Sequence, residues 1–510
     1  MDALTQQLAR AAPVGAALVA WPAPALFALP EKVLQFGTGV LLRALPDFMI
    51  DEANRQGVFN GRIVVVKSTD GGDATAFERQ DGLYTVCVRG VADGRPVEQN
   101  VVCASISRVL VAQSQWAEVL RFAASPDLRV VISNTTEMGI ELVKEDIGLR
   151  PPRSFPGKLL AVLHARFQAF AGDGARGLVV VPTELIPDNG RQLEATVREL
   201  ARHNNLGPAF LAWLESANHF CSSLVDRIVP GRPDAAALAH LQAELGYRDE
   251  LLTMAEAYAL WAIEGDERVR AVLSFHEVAA GVVIRPDIGL FRELKLRLLN
   301  GPHTLSYGLA HLLGCATVRE ALEHEALARF IAHLTLAELR PGIPHEVDEP
   351  EGRRFGHQVL DRFRNPYLAH RWLSIAVQGT AKMRLRNVPT LLHYYRQHAA
   401  VPPYLALGFA AYLLFMRNAA SGPGTGRGEA NGQPYAIQDE RAGYFADLWA
   451  RLPPEELTGV VLRDPALWGH DLTLLPGFAA RVAHYLTQLL AEGAPATLAA
   501  LLAQPAAATS

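Results

Sequence analysis

Three short runs of near-continuous Val and Ile most constrain how this chain can fold: RIVVVK at Arg62 to Lys67, RVVIS at Arg129 to Ser133, and LVVV at Leu178 to Val181. Strands that are apolar on both faces must be covered on both faces, which is the situation of a parallel sheet flanked by helices. A further run, KVLQF at Lys32 to Phe36, opens the series, and helical stretches such as Trp116 to Ala123 and Leu159 to Phe170 separate its members. The pattern predicts an α/β protein with a Rossmann-like N-terminal domain. Ligands of such sheets bind beyond the carboxyl ends of the strands, so the residues that follow each run are the first candidates for function.

After Phe36 comes Gly37-Thr38-Gly39, and Val40 to Ala53 then shows helical periodicity. In strand, glycine turn, helix units the glycines let backbone N–H groups approach a pyrophosphate; here the third glycine position is Leu42. Asn134 and Thr135 follow the third run, and Pro182-Thr183-Glu184 follow the fourth. Phe36, Gly37, Thr38, Gly39, Asn134 and Thr135 are therefore the predicted cofactor contacts. The second run ends at Lys67, with Asp70 three residues on. An acid there binds ribose hydroxyls and favours NAD, whereas a cation accommodates the phosphate of NADP. NAD is the expected cofactor, through Asp70, with NADP left open by Lys67. LYTVCVRG (83–90) and VVCASISRVL (101–110) read as an antiparallel insertion, and Gln80-Asp81-Gly82 as a turn.

From about Pro286 the pattern changes to helices over Leu290–Leu299, Thr304–Leu313, Ala316–Leu339, Glu351–Arg364, Leu373–Arg384 and Pro403–Arg417. Two domains follow, 1–285 and 286–510, the second mostly helical. Ser421 to Gly432 is dense in glycine and reads as a flexible loop; it lacks the Gly-Lys-Ser/Thr ending of a P-loop. The Ala-rich end is expected to fray after one helix, and there is no internal repeat.

Within the second domain, KLRLLNGPH gathers Lys295, Asn300 and His303. Roughly 100° per residue on an α-helix places Asn300 about 140° and His303 about 80° from Lys295, so the three can look toward one side. A desolvated lysine can exchange a proton with a carbonyl or alcohol oxygen while an Asn amide donates to that oxygen. That is the equipment of a metal-free ketone reductase. The same triplet is also compatible with a solvated amphipathic helix whose His caps a turn. Pro302 removes a backbone donor, which places Asn300 at a junction of two helices.

Composition excludes other classes. A net charge of -5 over 510 residues provides no global field for nucleic acid or anionic lipid. Cys87, Cys103, Cys221 and Cys315 are scattered without C-x-x-C spacing and there is no H-E-x-x-H, so neither a disulfide framework nor a metal site is expected. A reducing cytoplasm fits best. Asp2, Arg10 and several prolines spoil an export signal, and no apolar run reaches the roughly 20 residues of a membrane span.

The order of these pieces resembles the polyol-specific long-chain dehydrogenases, the mannitol dehydrogenase family that also contains hexuronate reductases. The resemblance runs from about Lys32 to Trp449 through QFGTGVLLRA at Gln35, SNTTE at Ser133, FCSSLVDRIVPG at Phe220 and KLRLLNGPH at Lys295. DGLYT at Asp81, SFPGKL at Ser154, PTELIPDNG at Pro182 and YAIQDE at Tyr435 are similar to the hexuronate-acting members. The family's glycine turn lacks the third glycine, which accounts for Leu42 and Arg43. The resemblance implies that Lys295 is the general base, Asn300 the oxyanion donor and His303 a substrate-placing group. It makes Asp226 a polar partner of the catalytic lysine, although Asp226-Arg227 can equally be an ordinary ion pair.

Mannitol enzymes carry Asp-Asn where this chain has Glu184-Leu185, and Leu185 cannot donate to an oxyanion. A sugar-acid carboxylate needs a cation: Lys382 matches a substrate-contacting lysine of the family, with Arg371, Arg384 and Arg386 nearby. Lys382, Arg371 and Glu184 form the expected substrate set. The implied protein is an NAD-dependent oxidoreductase of a small sugar acid, held in a cleft between domains, and a monomer or small homo-oligomer. A sister enzyme of fructuronate, fructose or mannitol and a catalytically idle nucleotide-binding regulator are the alternatives.

Overall fold

The computed structural model describes residues 2–12, 18–68, 74–135 and 139–504. The chain divides into two compact units, Met1–Arg89 with Pro96–Ile288, and Gly90–Arg95 with Gly289–Ser510.

The first unit is built on six strands, β1 Glu31–Phe36, β2 Arg62–Lys67, β3 Ile106–Val111, β4 Val130–Ser133, β5 Val179–Pro182 and β6 His219–Phe220. Their order is β3-β2-β1-β4-β5-β6 and each pairing is parallel. This is the doubly wound Rossmann order, with its direction reversing between β1 and β4. The alternation along each strand explains the two-sided apolar runs. Val33, Ile63 and Val65 enter one core with Phe48 and Ile50. Leu34, Val64 and Val66 enter the other with Trp116, Leu159 and Leu163. Burying each such side chain contributes about 1.5–3 kcal/mol, an upper figure because the unfolded chain already hides part of it.

Two expectations about this unit change. The insertion is a hairpin, Tyr84–Ala92 and Arg95–Cys103, joined by Asp93-Gly94 with φ 51° and 72°. However, the second predicted run is not one strand: Ala104-Ser105 interrupts it, and β3 beyond them is a parallel edge partner of β2. Arg62 holds the bend by donating to the carbonyls of Ala104 and Ile106. The helix predicted over Val40–Ala53 is two helices, Val40–Ala44 and Pro46–Arg55, because Pro46 forces Leu45 out of helical geometry to φ -129°, ψ -82°. Gln80-Asp81-Gly82 does turn, with φ 53° at Asp81 and 78° at Gly82. A separate small sheet pairs Ser223–Asp226 antiparallel to Leu260–Glu264, which runs parallel to Val282–Arg285.

The second unit is mostly helical. Helix Pro403–Phe415 is apolar on all sides and buried along most of its length. Among the described residues three helical runs contain π-turns, at Lys295–Leu299, Leu334–Leu339 and Met383–Asn387, and the first packs on the other two. The long predicted helices are segmented. Ala316–Leu339 is Val318–Glu323, Glu325–His333 and a π-turn, with His324 Nδ1 accepting from the Leu327 N–H to start the second piece. Leu373–Arg384 is Trp372–Ala376, Gly379–Lys382 and a π-turn.

The glycine-dense segment is not a loop but part of a three-stranded antiparallel sheet, Ala419–Gly422, Thr425–Ala430 and Gln433–Gln438. Asn431-Gly432, at φ 52° and 72°, is the turn, and a Cβ at Gly428 would strike the Tyr435 ring. The last helix, Phe478–Leu502, breaks at Gly493. All four cysteines are free and buried. Among the described residues no helix is long and apolar enough to cross a membrane.

Candidate active site

In the first unit the site forms where the sheet order reverses. Gly37 has φ 125°, and a Cβ there would lie 2.9 Å from Leu42 Cδ1 and 3.0 Å from the Asn134 carbonyl oxygen. Only glycine fits. Leu42 thus packs into the space above the turn, and the third glycine is absent for that reason. Thr38 is half-buried, and Gly39 faces open space at the start of the following helix, without a side-chain cap. This cradle fits the pyrophosphate of a dinucleotide. The side chain of Phe36 belongs to the core, against Phe155 at 5.2 Å.

A polar network holds the turn. Asn134 N–H donates to the Phe36 carbonyl at 3.1 Å, and its amide Nδ2 donates to Thr183 Oγ1 at 3.0 Å. Glu184 is buried; its carboxylate accepts from Thr135 N and Oγ1, both at 2.9 Å, and from Ser133 Oγ at 3.2 Å. Glu184 therefore fixes the loop after β4, and its oxygens are turned into the protein. Two supports escaped sequence reasoning. Gln35 donates to Asp47 Oδ2 at 3.1 Å directly beneath the turn, and burial pushes the Asp47 carboxyl up to about 8. Arg43 lies over the rings of Phe77 and Tyr84 and donates to the Leu251 carbonyl, so it braces the core. Asp70 lies outside the described residues.

Asp226 is buried at the end of its strand, in register with Leu260. Its neighbour Arg227 donates to the carbonyls of Glu256 and Ala44 and sits 4.9 Å over the Phe48 ring. Burial lowers that guanidinium to about 10.

In the second unit, Lys295 and Asn300 bracket the first π-turn, and the Asn300 N–H donates to the Lys295 carbonyl. That i→i+5 bond stacks the two residues, so the 140° of an α-helical wheel does not apply. Asn300 lies at the junction the proline implies, between the π-turn and helix Asn300–Leu312. Both residues are half-buried. His303, one turn on, is buried against Phe363 at 4.1 Å, with His370 at 5.3 Å. Burial, and then His370, Arg362 and Arg386, hold its imidazole well below its usual range, so it is neutral at pH 7.

The π-turn at Met383–Asn387 locks onto that at Lys295–Leu299. Arg297 pairs with Glu293 at 2.8 Å and donates to the carbonyls of Leu385 and Arg386. Arg386 Nη1 donates to Thr304 Oγ1 at 3.1 Å, and Thr304 donates to the Asn300 carbonyl at 2.9 Å. Lys382, half-buried just before this turn, donates to the Ile375 carbonyl at 2.8 Å, and burial lowers its ammonium. Asp439, in the YAIQDE segment, accepts from Thr380 N and Oγ1 at 2.8 and 2.9 Å and so anchors the helix that carries Lys382.

Arg371 lies between His370 and Trp372, whose rings are 5.3 and 6.1 Å from that of His303. It is exposed and lines a cavity of about 570 Å³ with Trp372, Phe415 and Ile437, whose lining includes none of Lys295, Asn300, His303 or Lys382. Arg384 is exposed, beside Gly469. Among the described residues no group of three or more His, Cys, Asp or Glu side chains is placed to hold a metal.

Residues 31–276 match the mannitol dehydrogenase Rossmann domain and residues 287–490 the mannitol dehydrogenase C-terminal domain. The chain is 39% identical to an altronate oxidoreductase of Halalkalibacterium halodurans, over 93% of this chain and 94% of that one. It is 38% identical to an altronate oxidoreductase of Bacillus subtilis, over 90% and 93%. For that of Yersinia enterocolitica the figures are 37%, 92% and 97%. Among solved structures, Pseudomonas fluorescens mannitol 2-dehydrogenase in ternary complex with NAD and D-mannitol superimposes with TM-score 0.63 at 23% identity, covering 99% of this chain and 100% of that one. A substrate-free D-sorbitol dehydrogenase gives 0.76 at 21%, covering 97% and 100%. At such identities the likeness speaks to the fold.

Proposed function

The chain belongs to the mannitol dehydrogenase family of oxidoreductases, and from that premise we propose that it interconverts D-tagaturonate and D-altronate, with NAD as the hydride carrier. The names of its relatives at 37–39% identity over nearly the whole chain support the substrate pair. The observation that supports this chemistry is the π-turn, whose i→i+5 bond joins Asn300 to Lys295; the lysine suits proton transfer and the amide suits an oxyanion.

A nicotinamide bound at the first unit supplies or accepts hydride. Gly37, Thr38 and Gly39 are the residues that would lie under its pyrophosphate, with Asn134 and Thr135 toward the nicotinamide end. In reduction, Asn300 donates a hydrogen bond to the ketone oxygen as negative charge develops there, and Lys295 delivers the proton to that oxygen. In oxidation, Lys295 takes the hydroxyl proton. Neutral His303, fixed in its aromatic pocket, donates or accepts a hydrogen bond at a neighbouring hydroxyl without adding charge. Lys382 contributes positive charge on the substrate side. Glu184 serves indirectly, by fixing Thr135.

The test is NADH consumption by the purified protein with D-tagaturonate, D-fructuronate and D-fructose offered separately, and NADPH as a control. Preference for tagaturonate with NADH is expected. Preference for fructose, or silence with all three despite cofactor binding, would contradict the assignment.

A further inference from the structure

A sugar acid differs from a neutral sugar by one carboxylate, and four cations of the second unit compete to bind it. Lys382 has its ammonium on the Ile375 carbonyl. Arg371 and Arg384 are exposed, and a fully hydrated guanidinium discriminates little. Arg386 is different. It is half-buried, it forms no ion pair with any carboxylate among the described residues, and its only side-chain hydrogen bond is the one from Nη1 to Thr304 Oγ1. Burial lowers its proton affinity, and no acid offsets that cost. Among the described residues, four of its five N–H donors are thus left without an acceptor.

Its surroundings hold that donor fork in place. The Arg386 carbonyl is fixed by Arg297, and its guanidinium is tied through Thr304 to the Asn300 carbonyl. The cation also acts electrostatically on both His303 and Lys382. A half-buried guanidinium without a counter-ion, built onto the residue assigned to the reacting oxygen, is placed to accept an anion that arrives with the substrate. We propose that Arg386 is the specificity-determining residue of this enzyme, binding the carboxylate of the sugar acid through its free N–H donors. The proposal rests on the sugar-acid reading above.

The test compares wild type, Arg386→Gln and Arg386→Lys on D-tagaturonate and on its neutral counterpart, the same ketose with an amide in place of the carboxylate. Arg386→Gln should lower kcat/KM for the acid by about 30-fold or more, mainly through KM, and lower it for the neutral compound by a much smaller factor, so that the preference for the acid falls about tenfold or more. Arg386→Lys should recover part of the loss, and Arg384→Gln should leave both substrates unchanged. Equal losses on both substrates would overturn the proposal, since they mean that Arg386 acts only by holding Thr304 and Asn300. An undiminished preference for the acid in Arg386→Gln would overturn it too, with the sugar-acid reading intact. A wild type that turns over the neutral compound as well as the acid would sink both.

Discussion

The backbone N–H of Asn300 donates to the carbonyl of Lys295, closing a π-turn in the middle of a helical run. One extra residue in that turn sets Lys295 and Asn300 one π-turn apart along the run. The turn is held from outside, by Arg297 on the carbonyls of the π-turn at Met383–Asn387 and by the Arg386–Thr304–Asn300 chain.

Gly301 is where the three π-turns meet. A Cβ there would lie 3.0 Å from Asn387 Oδ1 and 3.5 Å from Leu339 Cδ1. Gly301→Val should destabilise the protein by about 1–3 kcal/mol and lower kcat more than cofactor affinity. Thermal melting, steady-state rates and NADH titration check this, and an unchanged kcat would mean that the packing of the turns does not set the site.

Gly37→Ala combines a positive φ with a clash against Leu42 and the Asn134 carbonyl. It should cost about 1–3 kcal/mol and weaken NADH binding at least tenfold. Fluorescence titration of the folded variant reads the binding directly.

Asp439 satisfies the N–H and hydroxyl of Thr380, both buried. Asp439→Ala leaves that N–H unpaired and should lower stability by about 2–3 kcal/mol, with KM rising as the helix bearing Lys382 loosens. Chemical denaturation and a KM measurement test the two halves separately.

Glu338 gives a pH prediction. Its carboxyl accepts from the N–H groups of Tyr404 and Leu405 at the start of the central apolar helix, and burial pushes it from 4.5 up to about 8. The folded chain therefore keeps a proton that the unfolded chain releases above pH 4.5. This contribution to stability is full below that value and is lost as pH rises toward about 8. The stability of wild type relative to Glu338→Gln should fall between pH 5 and 8.5. Asp47, which is also raised, is present in both proteins and cancels. A difference independent of pH would refute the linkage.

The parallel sheet is legible in sequence because a strand buried on both faces has a signature of its own, and the residues after Phe36, Ser133 and Pro182 converge on one turn as that topology requires. The π-turn is not. Nothing in KLRLLN distinguishes an i→i+5 bond from an i→i+4 bond, and Pro302 signals a junction without its kind. The glycine-dense segment misleads for a different reason. Its glycines accommodate the Tyr435 ring and the Asn418 side chain, a packing demand that composition cannot report, although Asn431-Gly432 is a legible hairpin turn. The roles of Asp439 and Glu184 depend on partners 59 and 49 residues away, which no local pattern carries.

The most direct test of the lysine and amide pair is Lys295→Ala, assayed for tagaturonate reduction alongside NADH affinity. Loss of kcat by several orders of magnitude, with NADH binding within about twofold of wild type, is the predicted result, because the group is needed in the transition state rather than for holding cofactor. A variant that turned over at near wild-type rate would show that the proton comes from elsewhere and that the π-turn has no catalytic role.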